Sequence, residues 1–366
     1  MYLGGWVRAK RAAGDPEVIR LGVIGGGMMS QVGHLPFFVS DPRCEVVAVA
    51  ESRPSLVAAL TGDFGVARVV PHHREILGDP DIDAVVISAP RPATAPITEE
   101  ALQAGKHVLA EKPMALTSGD AARLVDLARE KGLTYAVGFM KRYDPGIEAG
   151  RAVFSDLIDT GRLGTLLAAR FHDFSRNYAM APPAHTRPAE SRAERFPTSD
   201  ACPAWLPAAF QGDWGWFLNA GSHDLNLIHF FFPDTVDVVA AAHPCPDAIA
   251  AILRWRDVAI TLEVVKSAIG MWREGAEFVF ENGCLTLDIP SPMAVDGVTR
   301  ARLEENIDQP TSRMLETGSG WSFARQASGF LGALSGGAPP AATGADALRD
   351  MRLNDAIWKR IVAADD

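Results

Sequence analysis

Asn219 and His223 stand four residues apart in Trp214-Gly215-Trp216-Phe217-Leu218-Asn219-Ala220-Gly221-Ser222-His223-Asp224-Leu225-Asn226, a spacing that sets both side chains on one face of a helical turn. Imidazole is a base whose ordinary pKa lies near neutrality, whereas a carboxamide donates and accepts hydrogen bonds without taking a proton. Such a pair can orient a hydroxyl and remove its proton. The apolar run Leu227-Ile228-His229-Phe230-Phe231-Phe232 that follows would keep water away, and it equally describes a capped helix entering a core. A further cation, Lys112, closes the strand-like run His107-Val108-Leu109-Ala110 in Glu111-Lys112-Pro113. The carboxyl end of a parallel strand is where open α/β sheets bind ligands.

These groups need a scaffold, and the first half of the chain supplies a recognisable one. Leu21-Gly22-Val23-Ile24 runs into Gly25-Gly26-Gly27-Met28-Met29-Ser30, and Gln31 to Val39 can continue as a helix. In a dinucleotide-binding crossover the first glycine permits the tight turn and the second lets backbone approach the pyrophosphate, whose charge rests on helix N–H groups. Gly25 and Gly27 fill those places and Ser30 takes the third, with the backbone of Met28 and Met29 beside them. Glu45-Val46-Val47-Ala48-Val49-Ala50-Glu51 then ends in a carboxylate suited to the adenosine ribose hydroxyls. Glu51 favours NAD, while Arg53, past Ser52, offers a partner for the extra phosphate of NADP. Further runs at Ala84-Val85-Val86-Ile87-Ser88, His107 to Ala110 and Thr134-Tyr135-Ala136-Val137-Gly138 alternate with helical stretches, which indicates a parallel sheet covered on both faces.

The later chain reads differently. Glu277 to Glu281 and Cys284 to Leu287 flank Asn282-Gly283, a type I′ hairpin signal, and a second turn is expected at Arg256-Asp257. Antiparallel strands follow. Met180 to Pro207 lacks a period and reads as a long loop, Ala345 to Ala363 reads as a helix, and residues 1–18 read as a mobile extension.

Composition narrows the partners. With 366 residues, 48% hydrophobic and 22% charged, the chain has material for two globular domains. A net charge of -10 without a Lys/Arg block argues against nucleic acid and anionic membrane, because phosphate binding needs a concentrated cationic face. No run reaches the ~20 apolar residues of a membrane span. Cys44, Cys202, Cys245 and Cys284 are scattered without a C-x-x-C pair, which fits a reducing, cytoplasmic setting. The histidines His34, His72, His73 and His229 have no ligand spacing, so no metal is expected.

The glycine turn, Asp79-Pro80-Asp81-Ile82-Asp83-Ala84-Val85, the stretch from Ala101-Leu102 through Gly105-Lys106-His107-Val108 to Glu111-Lys112-Pro113, and Gly161-Arg162-Leu163-Gly164 together resemble the Gfo/Idh/MocA family of oxidoreductases. Gly138-Phe139-Met140-Lys141-Arg142-Tyr143-Asp144-Pro145 is similar to its inositol dehydrogenase branch. The resemblance implies an N-terminal Rossmann domain with a parallel sheet, residues 19–140, and an α+β domain with a large open, mostly antiparallel sheet, residues 141–344. It also implies a C-terminal helix in 345–366 that returns to the nucleotide domain. Ala89, Pro90, Thr94 and Glu111 would join Gly25, Gly27, Met28, Met29, Glu51, Ser52 and Arg53 around NAD, with NADP as the alternative.

In the family the lysine of E-K-P lies near the nicotinamide and a D-x-x-x-H element completes the site. Lys112 and His223 match, while Asn219 stands where inositol dehydrogenases carry Asp, and Asn226 replaces a further Asp. His223 is then the expected base, Lys112 a proton partner, Asn219 a positioner, and Arg142 and Tyr143 candidate substrate contacts. Arg91 and Thr94 depart from the family's P-N-x-x-H, and Trp214 and Trp216 read as packing rather than sugar platforms. The expected activity is hydride transfer between NAD and a ring hydroxyl or ketone of a sugar, amino sugar or cyclitol. Two alternatives stand beside it: a non-catalytic NAD(P)- or sugar-binding sensor, and an enzyme that recycles tightly bound NAD, as a redox-assisted glycosidase or a two-substrate oxidoreductase. Burial of an apolar sheet face would make the protein a homodimer or homotetramer.

Overall fold

Six short runs of Val, Ile, Leu and Ala become parallel strands because side chains that alternate across a strand can be apolar throughout only when both faces are covered. They are β1 (Ile19–Ile24), β2 (Cys44–Ala50), β3 (Val69–Val70), β4 (Ala84–Ile87), β5 (His107–Ala110) and β6 (Tyr135–Val137). In the computed structural model, which describes residues 18–175, 183–191, 202–267 and 272–365, they pair in the order β3-β2-β1-β4-β5-β6. Val85 and Ile87 face one core while Ala84 and Val86 face the other. The helices on this sheet are α1 (Leu35–Ser40), α2 (Pro54–Gly62), α3 (His73–Leu77), α4 (Arg91–Gln103) and α5 (Ser118–Lys131). Strand order reverses between β1 and β4, so their carboxyl ends open a crevice of the kind that receives a nucleotide.

After α6 (Pro145–Thr160) the chain builds a second sheet from β7 (Leu166–Ser175), β8 (Asp237–Cys245), β9 (Ala248–Trp255), β10 (Val258–Lys266), β11 (Glu274–Phe280), β12 (Gly283–Ile289), β13 (Arg300–Asn306) and β14 (Pro310–Met314). Its order is β14-β13-β12-β11-β7-β10-β9-β8, antiparallel except where β7 runs beside β10. The helices α7 (Gln211–Ala220) and α8 (Ser222–Phe231) precede β8, and α9 (Ser322–Leu334) and α10 (Gly344–Asp365) close the chain. Phe154, Phe171, Phe231 and Phe278 interlock between α6, α8 and this sheet. The helix α10 packs on α5, α8 and β8, and an isolated bridge joins Thr343 to Ala136.

Four expectations are corrected. The hairpin between β11 and β12 forms, but its two loop residues are Glu281 and Asn282, with Phe280 paired to Gly283, and neither takes the positive φ of a type I′ turn. The Glu281 and Asn282 N–H groups instead donate to the carbonyls of Thr165 and Leu163, and a Cβ on Gly283 would collide with the Glu304 carbonyl oxygen. The second correction concerns α9, which the sequence places within the second unit: its Ala327, Phe330 and Leu331 complete a core of the first sheet. The third is that the open face of the second sheet is mixed rather than apolar, with exposed Ile252 and Val279 beside the Arg170–Glu263 ion pair. Last, Asn219 and His223 do not share one helix; α7 ends at Ala220 and α8 begins at Ser222, with Gly221 between them under the ring of Phe217.

The extension 1–18, apart from Val18, and residues 180–182 and 192–201 of the Met180–Pro207 loop lie outside the described residues. Among the described residues no helix is long and apolar enough to cross a membrane, and the four cysteines are free thiols.

Candidate active site

The glycine turn has the shape a dinucleotide requires. Gly25 sits at φ +97°, a region L side chains rarely enter, and a Cβ there would collide with the Ser88 carbonyl oxygen. At Gly27 the space a Cβ would take is clear of other atoms for 4 Å, which leaves backbone open to a pyrophosphate. Ser30, in the third place, donates its hydroxyl to the Gly25 carbonyl and so closes the turn. The helical residues begin at Met28, and first-turn N–H groups have no partner within their helix. At the adenosine end Glu51 accepts hydrogen bonds from the Gly26, Ser52 and Arg53 N–H groups, and Arg53 reaches it through Nη2 at 2.7 Å. Burial would raise the Glu51 carboxyl, yet Arg53 and these N–H groups hold it below the usual glutamate value. The residues present therefore fit a nicotinamide dinucleotide along this edge.

At the other end of the crevice lies a cavity of about 510 Å³ between the two sheets. Met29, Ala89, Pro90, Glu111, Lys112, Asn219 and His223 all line it, so the expected groups from β4, β5, α7 and α8 converge. The Lys112 ammonium donates to the Asn219 carbonyl at 2.8 Å and to its Oδ1 at 3.1 Å. Burial lowers its pKa to about 8, with Glu111 opposing. The Glu111 carboxylate is itself fixed, 2.8 Å from His34 Nε2 and wedged against Gly138. His223 packs edge-on to Phe139, and its Nδ1 has no hydrogen-bond partner among the described residues. Burial, then the charges of Lys112 and Lys141, press its pKa well below the usual histidine value, so the ring is neutral at pH 7.

Several residues at this cavity are not singled out by the sequence. Asp173 on β7, Lys141, Lys266 and Trp272 line it, and Glu274 lies directly across from Asp173 in the β7–β11 register. Like charges opposite one another repel. Lys141 offsets this by an ion pair with Glu274, which also accepts from Trp272 Nε1 at 3.1 Å. Burial opposes the Lys141 ammonium, but Glu274, Asp224 and Asp173 outweigh it and hold its pKa above the ordinary lysine value. Asp224 is buried with both oxygens unpartnered among the described residues, and burial followed by Glu274 and Asp173 pushes its carboxyl far above the carboxylate range. A signal for Asp173 exists in the sequence: it shares the inward phase of β7 with Ala169 and Phe171, where a charge is out of place.

Other expected contacts lie elsewhere. Arg142 and Tyr143 are corrected from substrate contacts to structural clasps, because the 3₁₀ turn Met140–Tyr143 aims its first two residues at the cavity and its last two away. Arg142 donates to Asn226 Oδ1 at 2.7 Å and to the Ala341 carbonyl at 2.9 Å, and Tyr143 Oη accepts from Ala341 N–H. Asn226 continues this network to Asp350, which also holds His229 Nδ1 at 2.7 Å. Thr94 is buried within α4 and does not line the cavity. Arg91 does, while tying α4 to α7 through the Gly215 carbonyl. Trp214 is core, as expected, whereas Trp216 faces the cavity. No group of three metal-ligating side chains occurs among the described residues.

Comparison with known proteins agrees with this geometry. Residues 19–139 match a family model described as an oxidoreductase family with an NAD-binding Rossmann fold, Gfo/Idh/MocA. A dTDP-3,4-didehydro-2,6-dideoxy-alpha-D-glucose 3-reductase of Streptomyces violaceoruber is 40% identical over 159 residues, 43% of this chain and 45% of that one. Inositol 2-dehydrogenase 3 of Saccharopolyspora erythraea is 35% identical over 171 residues, 46% of this chain and 48% of that one. The chain thus spans about half the length of these curated relatives. The crystal structure of the 3-ketoreductase KijD10 from Actinomadura kijaniata, in complex with NADP and TDP-benzene, superposes with a TM-score of 0.71 at 25% identity, covering 94% of this chain and 98% of that one. Residues 19–139 thus match the NAD-binding Rossmann fold of the Gfo/Idh/MocA oxidoreductase family.

Proposed function

We propose that this chain is a nicotinamide-dependent oxidoreductase that interconverts a ring hydroxyl and a ketone on a sugar, amino sugar or cyclitol, with NAD as cofactor. The observation that carries the reading is the Lys112–Asn219 contact at 2.8 and 3.1 Å, set in the cavity that His223 also lines. Relatives named for reduction at a sugar carbon and for inositol oxidation support the substrate class. The cradle at Gly25, Gly27, Met28 and Met29, with Glu51 at its adenosine end, would hold the dinucleotide, which when bound supplies the hydride acceptor for oxidation and the donor for reduction.

Lys112 moves the proton. As a neutral amine it takes the hydroxyl proton while the carbinol hydrogen leaves with its electron pair; as an ammonium it returns the proton to the ketone oxygen. A pKa of about 8 lets both forms be populated near neutral pH. Asn219 fixes the Lys112 ammonium and orients the reacting oxygen. His223 is the base expected from the sequence, but burial and then two neighbouring ammonium groups disfavour its protonation, so we assign it a neutral hydrogen-bonding role on that oxygen. Arg142 and Tyr143 serve the junction rather than the substrate.

We further propose a cytoplasmic homodimer or homotetramer of two domains, with residues 345–366 returning to the nucleotide domain; light scattering that reports a monomer would remove the oligomer. The activity is tested with purified protein, NAD and a panel of sugars and cyclitols, followed by NADH absorbance. Turnover that Lys112→Met abolishes while dinucleotide binding survives is the expected result. Full turnover by Lys112→Met overturns the assignment, and a wild-type protein that binds dinucleotide but turns over no member of the panel overturns the substrate class.

A further inference from the structure

A segment far along the chain docks on the adenosine end of the crevice. Thr186 donates its N–H to Gln31 Oε1 at 2.8 Å, and Gln31 Nε2 donates to the Thr186 carbonyl at 3.1 Å and to the Gly26 carbonyl at 2.9 Å. Four residues on, Glu190 reaches the N-terminus of α2. Its Oε1 accepts from Ser55 N–H at 3.0 Å and its Oε2 from the Ser55 hydroxyl at 2.5 Å, while Ala189 N–H donates back to Ser55 Oγ at 3.1 Å. These bonds hold the Glu190 carboxyl below the usual glutamate value.

The groups that Glu190 and Glu51 occupy are those a 2′-phosphate on the adenosine ribose would need. Such a phosphate is bound by an arginine just past the second strand and by free N–H and hydroxyl groups at a helix start. Here Arg53 is committed to Glu51, with an Nη2–Oε2 distance of 2.7 Å, and its side chain is only 10% exposed. Pro54 offers no N–H, and both donors of Ser55 are committed to Glu190. A ribose 2′-hydroxyl can donate to Glu51, but a phosphate dianion would meet two carboxylates, with both Ser55 donors and the Nε and Nη2 of Arg53 already committed to them.

The geometry points to Glu190 as a specificity-determining residue that, together with Glu51, excludes the 2′-phosphate of NADP and restricts the site to NAD. This rests on the dinucleotide reading of the crevice proposed above. It also separates this chain from the structurally similar 3-ketoreductase, whose crystal structure holds NADP.

The test is calorimetric binding of ADP-ribose and of 2′-phospho-ADP-ribose to the full chain, with no turnover required. The wild type should prefer ADP-ribose. Glu190→Gln, which keeps the side chain's size and removes its charge, should tighten 2′-phospho-ADP-ribose by about tenfold while changing ADP-ribose by less than about twofold. The discrimination of the wild type should also shrink as salt rises, since the Glu190 part of the repulsion acts at the solvent edge of the crevice. Equal wild-type affinity for the two ligands, or a Glu190→Gln change of the same size for both, overturns the proposal and leaves the dinucleotide reading standing. Binding of neither ligand overturns the dinucleotide reading itself.

Discussion

Lys141 and Arg142 are consecutive buried cations in one turn, yet their surroundings are opposites. Around Arg142 every strong acceptor is matched: Asn226, the Ala341 carbonyl and Asp346 surround the guanidinium, and Asn226 and His229 close on Asp350. Around Lys141 the polar groups remain in tension. Glu274 is raised by burial to about 7 against the pull of Lys141, Asp224 has two unpartnered oxygens among the described residues, and His223 keeps a bare Nδ1. A saturated buried network specifies a fold, whereas an under-satisfied one that opens on a cavity stores the perturbed acidities that proton transfer uses. The turn Met140–Tyr143 separates the two within a single step of backbone.

Four experiments break or sharpen this contrast. On the cavity side, Lys112→Met should lower kcat by ~10²–10⁴-fold, the usual contribution of a positioned acid or base, with ADP-ribose affinity within about twofold of wild type. Rate loss that merely follows loss of dinucleotide binding would dissolve the cavity's claim to chemistry. On the other side, Arg142→Met should cost about 3–5 kcal/mol in urea unfolding because it strands Asp346 and Asn226, while the surviving folded protein keeps its kcat. Stable protein with a collapsed kcat would invert the comparison.

Asp173→Asn acts between the extremes. Removing a charge opposite Glu274 should leave stability unchanged or raised by about 0.2–1 kcal/mol, yet lower kcat/KM by roughly tenfold through a changed field at Lys112 and Lys141. A destabilised variant with unaltered kinetics would move Asp173 to the structural side. The smallest effect concerns pH. In the proposed mechanism deprotonated Lys112 is the form that takes the hydroxyl proton, and its fraction grows with pH, so oxidation should rise through pH about 8 and ketone reduction should fall through the same value. In Asn219→Asp a carboxylate beside the ammonium favours its charged form, which should move the midpoint upward by about one unit. A midpoint that does not move would detach the profile from Lys112.

The first sheet is legible in the sequence because each strand is an unbroken apolar run and several of the turns that follow carry a telling residue: Gly25 and Gly27 after β1, Glu51 after β2, Lys112 after β5. Lys112, Asn219 and His223 are legible by residue type and by the E-K-P and D-x-x-x-H resemblance, although the single helix expected for the last two is not formed. Asp173, Lys141 and Glu274 cannot be assembled that way, since they meet only through the β7–β11 register and a turn whose direction no periodicity announces. Arg142 and Tyr143 mislead for the same reason, standing just beyond the side chains of that turn that face the cavity. The docking of Glu190 on Ser55 spans 135 positions in a segment without a repeat, and no local pattern encodes it.

The alternation along β7 bears on how this scaffold can acquire new substrates. Met140 and Lys141 cannot be exchanged freely, because any rotation of their turn drags Arg142 out of its clasp. Asp173 and Val264, paired neighbours on β7 and β10, face the cavity from extended backbone whose ladder bonds do not depend on side-chain identity. Variation that retunes selectivity without endangering folding is therefore channelled onto the sheet floor, and a library aimed at altered specificity belongs there.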